Sequence, residues 1–248
     1  MFLIPMAGQS RRFLDFGYKQ KKFKLTVNGV TIFERVLEPF LINTTKKIVL
    51  CSLRADNITL WQPFCELSDR FPKRIMLIEL EEMTRGQAET VYLALTKLED
   101  MRDTNFTIFN VDTILDNLPS YLLSNVSDDN LPSCIVDVKK IPGNQWYFVR
   151  TLDQSDIAVE MKEKIRISEY ASTGLYWFYS TKTYKDFYER ISSTNEFKSS
   201  DKEVYVSQII DKMIQDNCLV KISENQHDIH FVVTPDEFES FAKMKIGS

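Results

Sequence analysis

The chain has 248 residues, enough to bury a large hydrophobic core, and its 44% hydrophobic and 27% charged residues are typical of a globular protein. Its formal net charge of -4 argues against a general binder of nucleic acids or of acidic membranes. It lacks an apolar run of transmembrane length, and Arg11 and Arg12 interrupt the N-terminal apolar segment where a signal peptide would continue. We therefore expect no nucleic-acid or membrane partner, and any anion site must be a local basic pocket.

Cysteine usage indicates the cellular compartment. The four cysteines are widely spaced: Cys51, Cys65, Cys134 and Cys218. This spacing, without a Cys-x-x-Cys pair, favours reduced and mostly buried thiols over a disulfide framework or a zinc site. His227 and His230 lie three residues apart, but no third ligand of the usual type accompanies them, which disfavours a metal site there. These features predict a cytoplasmic protein.

The first 25 residues join a short apolar run to a basic turn. Residues 2–7 read as a buried strand, and Ala7 and Gly8 allow a sharp backbone turn at its end. Arg11 and Arg12 follow at once, and four lysines come shortly afterwards: Lys19, Lys21, Lys22 and Lys24. Backbone N–H groups in such a turn can face an anion, to which arginine and lysine add full charges. The stretch predicts a polyphosphate site, with a β-turn and a solvated basic face as the alternative.

Strands and helices alternate through the rest of the first half. Further strands are predicted at 47–53, 74–80 and 106–110, and helices at 32–42, 58–71 and 87–98. The second half is rich in strands, predicted at 133–138, 146–151, 157–161, 173–179 and 218–222, with helices at 182–192, 206–215 and from Pro235 onward. We predict an α/β fold with a Rossmann-like mixed, mainly parallel central sheet, flanking helices and a strand-rich second half.

Polar residues follow three of the predicted strands. They lie at 8–12 after the first strand, at 84–87 after the third and at Asp112 after the fourth. Ligands of open α/β sheets bind beyond the carboxyl ends of the strands, so these segments are expected to converge. The opening motif is neither Gly-x-Gly-x-x-Gly nor a Walker P-loop, which disfavours a dinucleotide or P-loop ATPase site.

These motifs resemble those of a known family. Residues 4–13 (IPMAGQSRRF), with Gly17-Tyr18 and Lys22, resemble the signature of the sugar-phosphate nucleotidyltransferases, also called nucleotide-sugar pyrophosphorylases. Segments similar to later family motifs follow in order: 27–32, 84–88, 110–112, 163–164, 174–178, Glu203 and 234–236. The resemblance implies a single nucleotidyltransferase domain over 1–248, with its nucleotide-binding half over about 1–130 and its sugar-phosphate-binding half over about 131–248.

The family reaction joins an NTP to a phosphorylated sugar or polyol and releases pyrophosphate, mostly by positioning and electrostatics. The resemblance implies that Arg12 holds the triphosphate and that Lys22 bridges the α-phosphate and the attacking phosphate. It implies that Asp112 binds Mg²⁺, a hard cation that favours carboxylate and phosphate oxygens. It also implies a role in capsule or lipopolysaccharide biosynthesis.

The remaining roles concern the two substrates. The resemblance implies that the nucleotide is lined by Ala7, Gly8, Gln9, Ser10, Gly86 and Gln87. Gln87 offers both a donor and an acceptor to the base. A Gly-Gln turn is compatible with a pyrimidine, so UTP, CTP or dTTP is weakly favoured over a purine. The phosphorylated acceptor would be held by Glu163, Lys164 and Glu203, with Gly174 allowing close backbone approach. A homo-oligomer is a further expectation from the family.

Several positions depart from the family pattern. Ser10 stands where a glycine is usual, which narrows the room for a triphosphate. Lys21 and Phe23 replace the prolines beside the key lysine, which predicts a freer and more basic loop. Phe231 occupies the usual place of a second metal-binding aspartate, and Asp228 could replace it only if the register shifts. Residues 146–149 (WYFV) lack the glycine of many hexose-binding members, which suggests a different acceptor.

Other readings stay open for single residues and for the chain. Asp112 could be an N-cap or turn residue, and Gln87 could begin a helix without contacting a ligand. Glu203 could be a surface residue. Glu163 and Lys164 belong to a charged run that could be solvated. The choice of Lys22 among the four lysines depends on alignment. A non-catalytic nucleotide-binding module of the same fold is a second hypothesis. A glycosyltransferase is a third, although no Asp-x-Asp motif follows a strand.

Overall fold

The computed structural model describes residues 1–98, 102–123, 131–153, 155–194 and 203–246, and only the backbone of residues 57–62 and 246. Its strands are β1 (Phe2–Pro5), β2 (Thr26–Val27), β3 (Val30–Thr31), β4 (Ile48–Leu53), β5 (Ile75–Leu80), β6 (Phe106–Phe109), β7 (Thr113–Leu115), β8 (Cys134–Lys140), β9 (Tyr147–Thr151), β10 (Ala158–Glu163), β11 (Tyr170–Phe178), β12 (Val220–Glu224) and β13 (Ile229–Phe231).

The helices alternate with these strands. They are α1 (Arg11–Asp15), α2 (Ile32–Asn43), α3 (Arg54–Arg70), α4 (Gln87–Lys97), α5 (Ser120–Leu123), α6 (Thr181–Ser192), α7 (Val206–Gln215) and α8 (Pro235–Ile246), with a 3₁₀ turn at Lys22–Lys24. Across the described residues, none of these helices has both the length and the apolar character needed to cross a bilayer.

A mixed sheet forms the centre of the molecule. Its main path runs β10-β9-β11-β6-β1-β4-β5, and β8 joins β11 to β12. The strands β6, β1, β4 and β5 are parallel, whereas β11 is antiparallel to β6, β8 and β9. The predicted fold class, a mixed sheet with flanking helices and a strand-rich second half, is confirmed.

The apolar core lies on both faces of this sheet. Within β1, Leu3 packs into the cluster that includes apolar residues of α4, α6 and α7, while Phe2 and Ile4 pack on the opposite face with α2 and α8. All three side chains are fully buried. A central strand covered on both faces must be apolar throughout, which is why residues 2–4 read as a continuous hydrophobic run.

Most predicted elements are present with small differences at their ends, and the largest difference concerns α3. The sequence predicted this helix from residue 58, but it begins at Arg54, directly after β4. Leu53 precedes it without a side-chain cap, so the usual polar signal for a helix start is missing. The elements that the sequence did not predict are α1, α5, β2, β3, β7, β13 and the 3₁₀ turn. They are too short to show a hydrophobic period.

Candidate active site

The carboxyl end of β1 opens into the predicted anion-binding turn. Ala7 is buried, whereas a Cβ atom added at the exposed Gly8 would meet nothing within 4 Å. Ser10 has a left-handed backbone (φ 55°, ψ 35°) and its side chain does not cap α1. The position therefore has the conformation that glycine adopts most easily, although serine occupies it. Gly8 therefore leaves open space beside the backbone of this turn.

The two arginines of the turn have different surroundings. Arg11 donates a hydrogen bond to Gln9 Oε1, and Gln9 Nε2 lies 2.6 Å from Met83 Sδ, which ties the turn to the segment after β5. Arg12 is exposed, and its guanidinium has no hydrogen-bond or ion-pair partner within the described parts of the chain. Arg12 is thus the arginine of this turn whose charge is available to a ligand.

Three of the four predicted lysines have a carboxylate partner. Lys22 Nζ is in contact with Asp112 Oδ2, and the Lys22 backbone N–H donates to Ser10 Oγ over 3.3 Å. Lys21 and Lys24 instead pair with Asp56, at 2.6 and 3.5 Å. Lys22 is therefore the lysine directed toward the predicted metal-binding aspartate.

This turn is held more firmly than the sequence led us to expect. Phe23, in place of a proline, is 1% exposed in the core. Lys21 has a φ of −64°, the value that a proline ring would fix. The loop is therefore not freer, as the sequence predicted, because the core holds Phe23 and Asp56 holds the side chains of Lys21 and Lys24.

Asp112 follows β6 in a tight turn before β7. It is 9% exposed, and its Oδ1 atom is buried without a hydrogen-bond partner among the residues described. It caps none of the described helices but does lie in a turn, so of the alternative reading as an N-cap or turn residue the N-cap part is wrong and the turn part holds. A buried carboxylate oxygen without a partner is costly, and an added cation would relieve that cost. Asp112 is therefore suited to act as a ligand of Mg²⁺.

A second carboxylate is absent from this position in the described structure. The Phe231 residue pairs with Thr113 between β13 and β7, and the Val232 N–H donates to the Asp112 carbonyl at 2.8 Å. Asp228 lies four residues from Val232, about 13 Å along an extended chain, so this register keeps Asp228 away from Asp112. The described residues also contain no cluster of three metal-binding side chains, at the histidines or elsewhere.

The turn after β5 meets the chain before α7. The Val204 N–H donates to the Arg85 carbonyl (2.8 Å), and the Ala88 N–H donates to the Val204 carbonyl (3.1 Å). Gly86, at φ 137°, has no room for a side chain, because a Cβ atom there would lie 2.5 Å from Glu203 Cγ. Two predicted site residues from distant parts of the sequence, Gly86 and Glu203, are thus in direct contact.

Gln87 begins α4, as the alternative reading expected, but its side chain also takes part in the site. Its Nε2 atom donates to Asn110 Oδ1. Gly174, at φ 86°, lies against the same amide, since a Cβ atom there would be 2.3 Å from Asn110 Nδ2. The Asn110 N–H also donates to the Gly174 carbonyl at 3.3 Å. Gly174 therefore gives Asn110 the space in which to hold Gln87.

The predicted acceptor side is built around Tyr205. Its hydroxyl donates to Glu203 Oε2 at 2.5 Å, and its ring lies 5.6 Å from that of Tyr147. Burial raises the pKa of Tyr205, and the hydrogen bond to Glu203 and the charges of Glu203 and Glu163 raise it further, whereas Arg12 lowers it. This hydroxyl therefore remains a neutral donor near both halves of the predicted site.

Glu163 and Lys164 form an ion pair of 2.8 Å at the end of β10. Glu163 stands opposite Tyr147 in the β9–β10 pair, and its charge adds to burial in raising the pKa of the Tyr147 hydroxyl. Lys164 has a left-handed backbone (φ 55°) and a side chain that is 57% exposed. The fold therefore brings Glu163 toward Glu203, while among the described residues Lys164 contacts the predicted site only through Glu163.

Three residues of this arrangement were not singled out from the sequence. Asn110 belonged to the recognised segment 110–112 without a role of its own, and Tyr205 lies only two residues after Glu203. For Asp56, no local pattern indicates that it pairs with lysines more than thirty residues earlier. Such contacts depend on the sheet order, which neither periodicity nor motif spacing provides.

Comparisons with known proteins agree with this geometry. A nucleoside-diphosphate-sugar pyrophosphorylase structure from Vibrio cholerae RC9 is 27% identical with a TM-score of 0.84, over 98% of this chain and 100% of that chain. The predicted resemblance to the sugar-phosphate nucleotidyltransferases is confirmed. So is the prediction that this chain is a nucleotidyltransferase enzyme.

More distant structures share the nucleotidyltransferase fold. The inositol-1-phosphate CTP transferase from T. maritima is 14% identical, with a TM-score of 0.74 over 98% of this chain and 93% of that chain. A UTP-bound UGPase from Acinetobacter baumannii is 16% identical, with a TM-score of 0.71 over 98% of this chain and 92% of that chain. No protein-family model and no curated protein matches the sequence.

Proposed function

We propose that this nucleotidyltransferase joins an NTP to a phosphorylated sugar or polyol, giving an NDP-sugar or NDP-polyol and pyrophosphate. The observation that carries the proposal is the contact of Lys22 with Asp112 beside the open turn at Gly8, where the Arg12 guanidinium has no partner among the described residues. Beyond the carboxyl ends of β1 and β6 lie Arg12, which has no partner among the described residues, Lys22, which is paired, and Asp112, whose second oxygen has no partner among them. Such charges suit a reaction that brings two phosphate groups together.

In this proposal the chain acts by position and charge. An oxygen of the acceptor phosphate attacks the α-phosphorus of the NTP, a new P–O bond forms, and the bond between the α-phosphorus and its bridging oxygen breaks. The electron pair leaves with pyrophosphate. Lys22 holds the α-phosphate and the attacking phosphate against their mutual repulsion, and Arg12 stabilises the negative charge that accumulates on the leaving group.

Mg²⁺ is proposed as the metal, held by Asp112. This cation usually binds one or two carboxylates together with substrate phosphates and water, so one aspartate is sufficient as its protein ligand. The Oδ1 atom of Asp112, which has no hydrogen-bond partner among the described residues, supports this assignment. When bound, the metal would neutralise charge on the phosphate oxygens.

For the nucleotide we propose a pyrimidine. Gln87 uses its amide nitrogen on Asn110, and among the described residues no donor to its carbonyl oxygen is seen, so this oxygen could accept from a base. Pyrimidines and purines both carry N–H donors for such an oxygen, so the choice of a pyrimidine rests on the resemblance of the turn at Gly86 and Gln87 to the base-recognition turn of the family. Two structures of the same fold, the inositol-1-phosphate CTP transferase and the UTP-bound UGPase, are of proteins that use or bind pyrimidine nucleotides.

For the acceptor we propose a phosphorylated sugar or polyol that lies between Glu163, Glu203 and Tyr205. Carboxylates accept hydrogen bonds from hydroxyl groups, and the Tyr205 hydroxyl is close enough to change partners. Tyr147 fills part of this region, which supports an acceptor other than an ordinary hexose phosphate. A role in capsule or lipopolysaccharide biosynthesis is proposed from the family resemblance alone.

The test is a pyrophosphate-release screen with Mg²⁺, in which UTP, CTP, dTTP, ATP and GTP are each combined with a panel of sugar and polyol phosphates. We expect release with a pyrimidine NTP and one class of acceptor, and none without the acceptor. A folded protein that releases no pyrophosphate across the panel would contradict the proposal.

A second candidate is a non-catalytic nucleotide-binding module. Phe231 favours it, because its ring packs 4.5 Å from Trp146 in the usual place of a second metal-binding aspartate of the family. Calorimetry separates the two candidates. Nucleotide binding without turnover for any acceptor would support the module, whereas turnover excludes it.

A further inference from the structure

Asp56 uses both oxygens of its carboxylate on the turn that carries Lys22. Its Oδ2 atom lies 2.6 Å from Lys21 Nζ and its Oδ1 atom 3.5 Å from Lys24 Nζ. The Asp56 side chain is 10% exposed, and those of Lys21 and Lys24 are 18% and 16% exposed. Ion pairs as enclosed as these are screened far less than surface pairs, so they can hold a loop in one arrangement.

The geometry of the turn explains why one carboxylate reaches two lysines. The Lys24 N–H donates to the Lys21 carbonyl at 3.0 Å, a bond between residues three apart. In such a 3₁₀ turn, side chains three residues apart lie on the same side. Lys21 and Lys24 therefore share the side that faces Asp56, and Lys22 necessarily points in another direction.

The other two side chains of the turn have separate anchors. Phe23 is buried in the core, and Lys22 Nζ contacts Asp112 Oδ2. All four residues from 21 to 24 thus have a partner: the core, Asp56 or Asp112. Asp56 also engages the ammonium groups of Lys21 and Lys24, which leaves Lys22 as the lysine of this turn that is directed to Asp112.

We infer that Asp56 is a positioning residue for Lys22, in the reaction proposed above and on the strength of that proposal. It holds the turn by its two ends, Lys21 and Lys24, and so fixes where the Lys22 ammonium lies. Asp56 does not touch the substrates in this scheme. It acts through the backbone of the turn, where an ion pair replaces the stiffness that a proline would supply.

The test follows lysine reactivity as well as turnover, so that it does not depend on the proposed reaction. The full chain, as wild type and as Asp56→Asn, is treated with an amine-acetylating reagent, and the rate at each lysine is measured by mass spectrometry. Glu81→Gln is the matched control, because it removes the exposed Arg54–Glu81 ion pair (3.0 Å) from the start of the same helix. Circular dichroism shows whether each variant is folded.

We expect several-fold faster acetylation of Lys22 in Asp56→Asn, together with Lys21 and Lys24, and unchanged rates in Glu81→Gln. The kcat for pyrophosphate release should fall about tenfold with little change in the KM for the NTP, since small misplacements of a catalytic group mainly slow the reaction. If Asp56→Asn does not fold, Lys21→Met tests the same inference, because it removes the shorter of the two ion pairs that Asp56 forms with the turn.

Faster acetylation of Lys21 and Lys24 without a change at Lys22 would overturn the inference, because Asp56 would then hold only its direct partners. A normal kcat in a variant whose Lys22 has become reactive would also overturn it. A wild type without turnover would instead contradict the proposed function, and the acetylation rates would still decide whether Asp56 positions Lys22.

Discussion

Lys22 and Asp112 satisfy each other's charge in this structure. Their side chains are 19% and 13% exposed, so neither charge is fully hydrated. Removing one partner leaves the other largely buried and unpaired, which is costly for stability as well as for binding. Mutations at this pair therefore need a control that breaks an ion pair of similar composition elsewhere.

Lys22→Ala and Asp112→Ala are each expected to reduce turnover nearly to background, by about 10² to 10³-fold or more, because charge stabilisation is the main contribution of such residues. Pyrophosphate release under saturating NTP is the measurement. The matched controls are Lys221→Ala and Asp156→Ala, which break a 3.0 Å ion pair far from the proposed site and should retain activity. A normal rate in either site variant would remove the proposed role of that residue.

Gly174→Ala is expected to destabilise the protein by about 1–3 kcal/mol and to weaken nucleotide binding. The added Cβ atom would clash with Asn110 and so displace the amide that holds Gln87. Gly29→Ala is the control, since Gly29 has a similar φ (76° against 86°) but nothing within 4 Å of an added Cβ atom. Urea unfolding and NTP titration should show a larger loss at Gly174, and equal losses would contradict the clash.

At the level of elements, Asp137 joins three strands of the second half. It lies on β8, is fully buried, and its Oδ2 atom accepts from Thr173 Oγ1 of β11 (2.7 Å) and from Asn225 Nδ2 just after β12 (2.9 Å). Burial raises the pKa of Asp137 to about 7, although these two hydrogen bonds oppose the shift. The folded protein therefore keeps a proton here that the unfolded chain releases at lower pH.

This raised pKa predicts a stability that falls with pH. Between the ordinary aspartate pKa of 3.8 and about 7, the folded state binds more protons than the unfolded state, so the free energy of unfolding decreases as pH rises and levels off above pH 7. The total loss is on the order of 4 kcal/mol. Asp137→Asn preserves an oxygen acceptor and should remove this slope.

The measurement is urea unfolding of wild type and Asp137→Asn at several pH values from 4 to 8. The difference between the two proteins isolates the contribution of Asp137 from that of other titrating groups. Asp156→Asn, which changes an exposed aspartate, should follow the wild type. A parallel pH dependence of wild type and Asp137→Asn would contradict a raised pKa at this residue.

The element scale also explains what the sequence could predict. Long apolar or periodic segments such as β4 and α7 were found because burial imposes their pattern. The β7–β13 pair was missed, because three-residue strands carry no period and their pairing joins segments far apart in the chain. The motifs predicted which residues matter, but the contacts Gly86–Glu203 and Lys21–Asp56 follow from the sheet order and could not be read in advance.

For the whole molecule, ligand binding should appear as added stability. At an NTP concentration of 100 times Kd, with Mg²⁺, the folded state gains about 2.7 kcal/mol, which corresponds to a rise in Tm of about 5 to 10 °C for a chain of this size. Pyrimidine triphosphates should raise the Tm more than purine triphosphates.

A thermal-shift series with each NTP checks this expectation. Asp112→Asn should lose most of the Mg²⁺-dependent part of the shift, while Asp156→Asn should keep it. Equal shifts with purines and pyrimidines would contradict the proposed preference for a pyrimidine.

Gly86, on the proposed nucleotide side, contacts Glu203, on the proposed acceptor side. The backbone of Val204 is also hydrogen-bonded to the turn that contains Gly86, so the two sides are joined directly. A ligand that shifts one side must act on the other, so the two substrates should show cooperative affinities. Thermodynamic reciprocity then requires that the acceptor changes the Kd of the NTP by the same factor as the NTP changes the Kd of the acceptor. Gly86 would in that case transmit an equal effect in both directions, whichever substrate binds first.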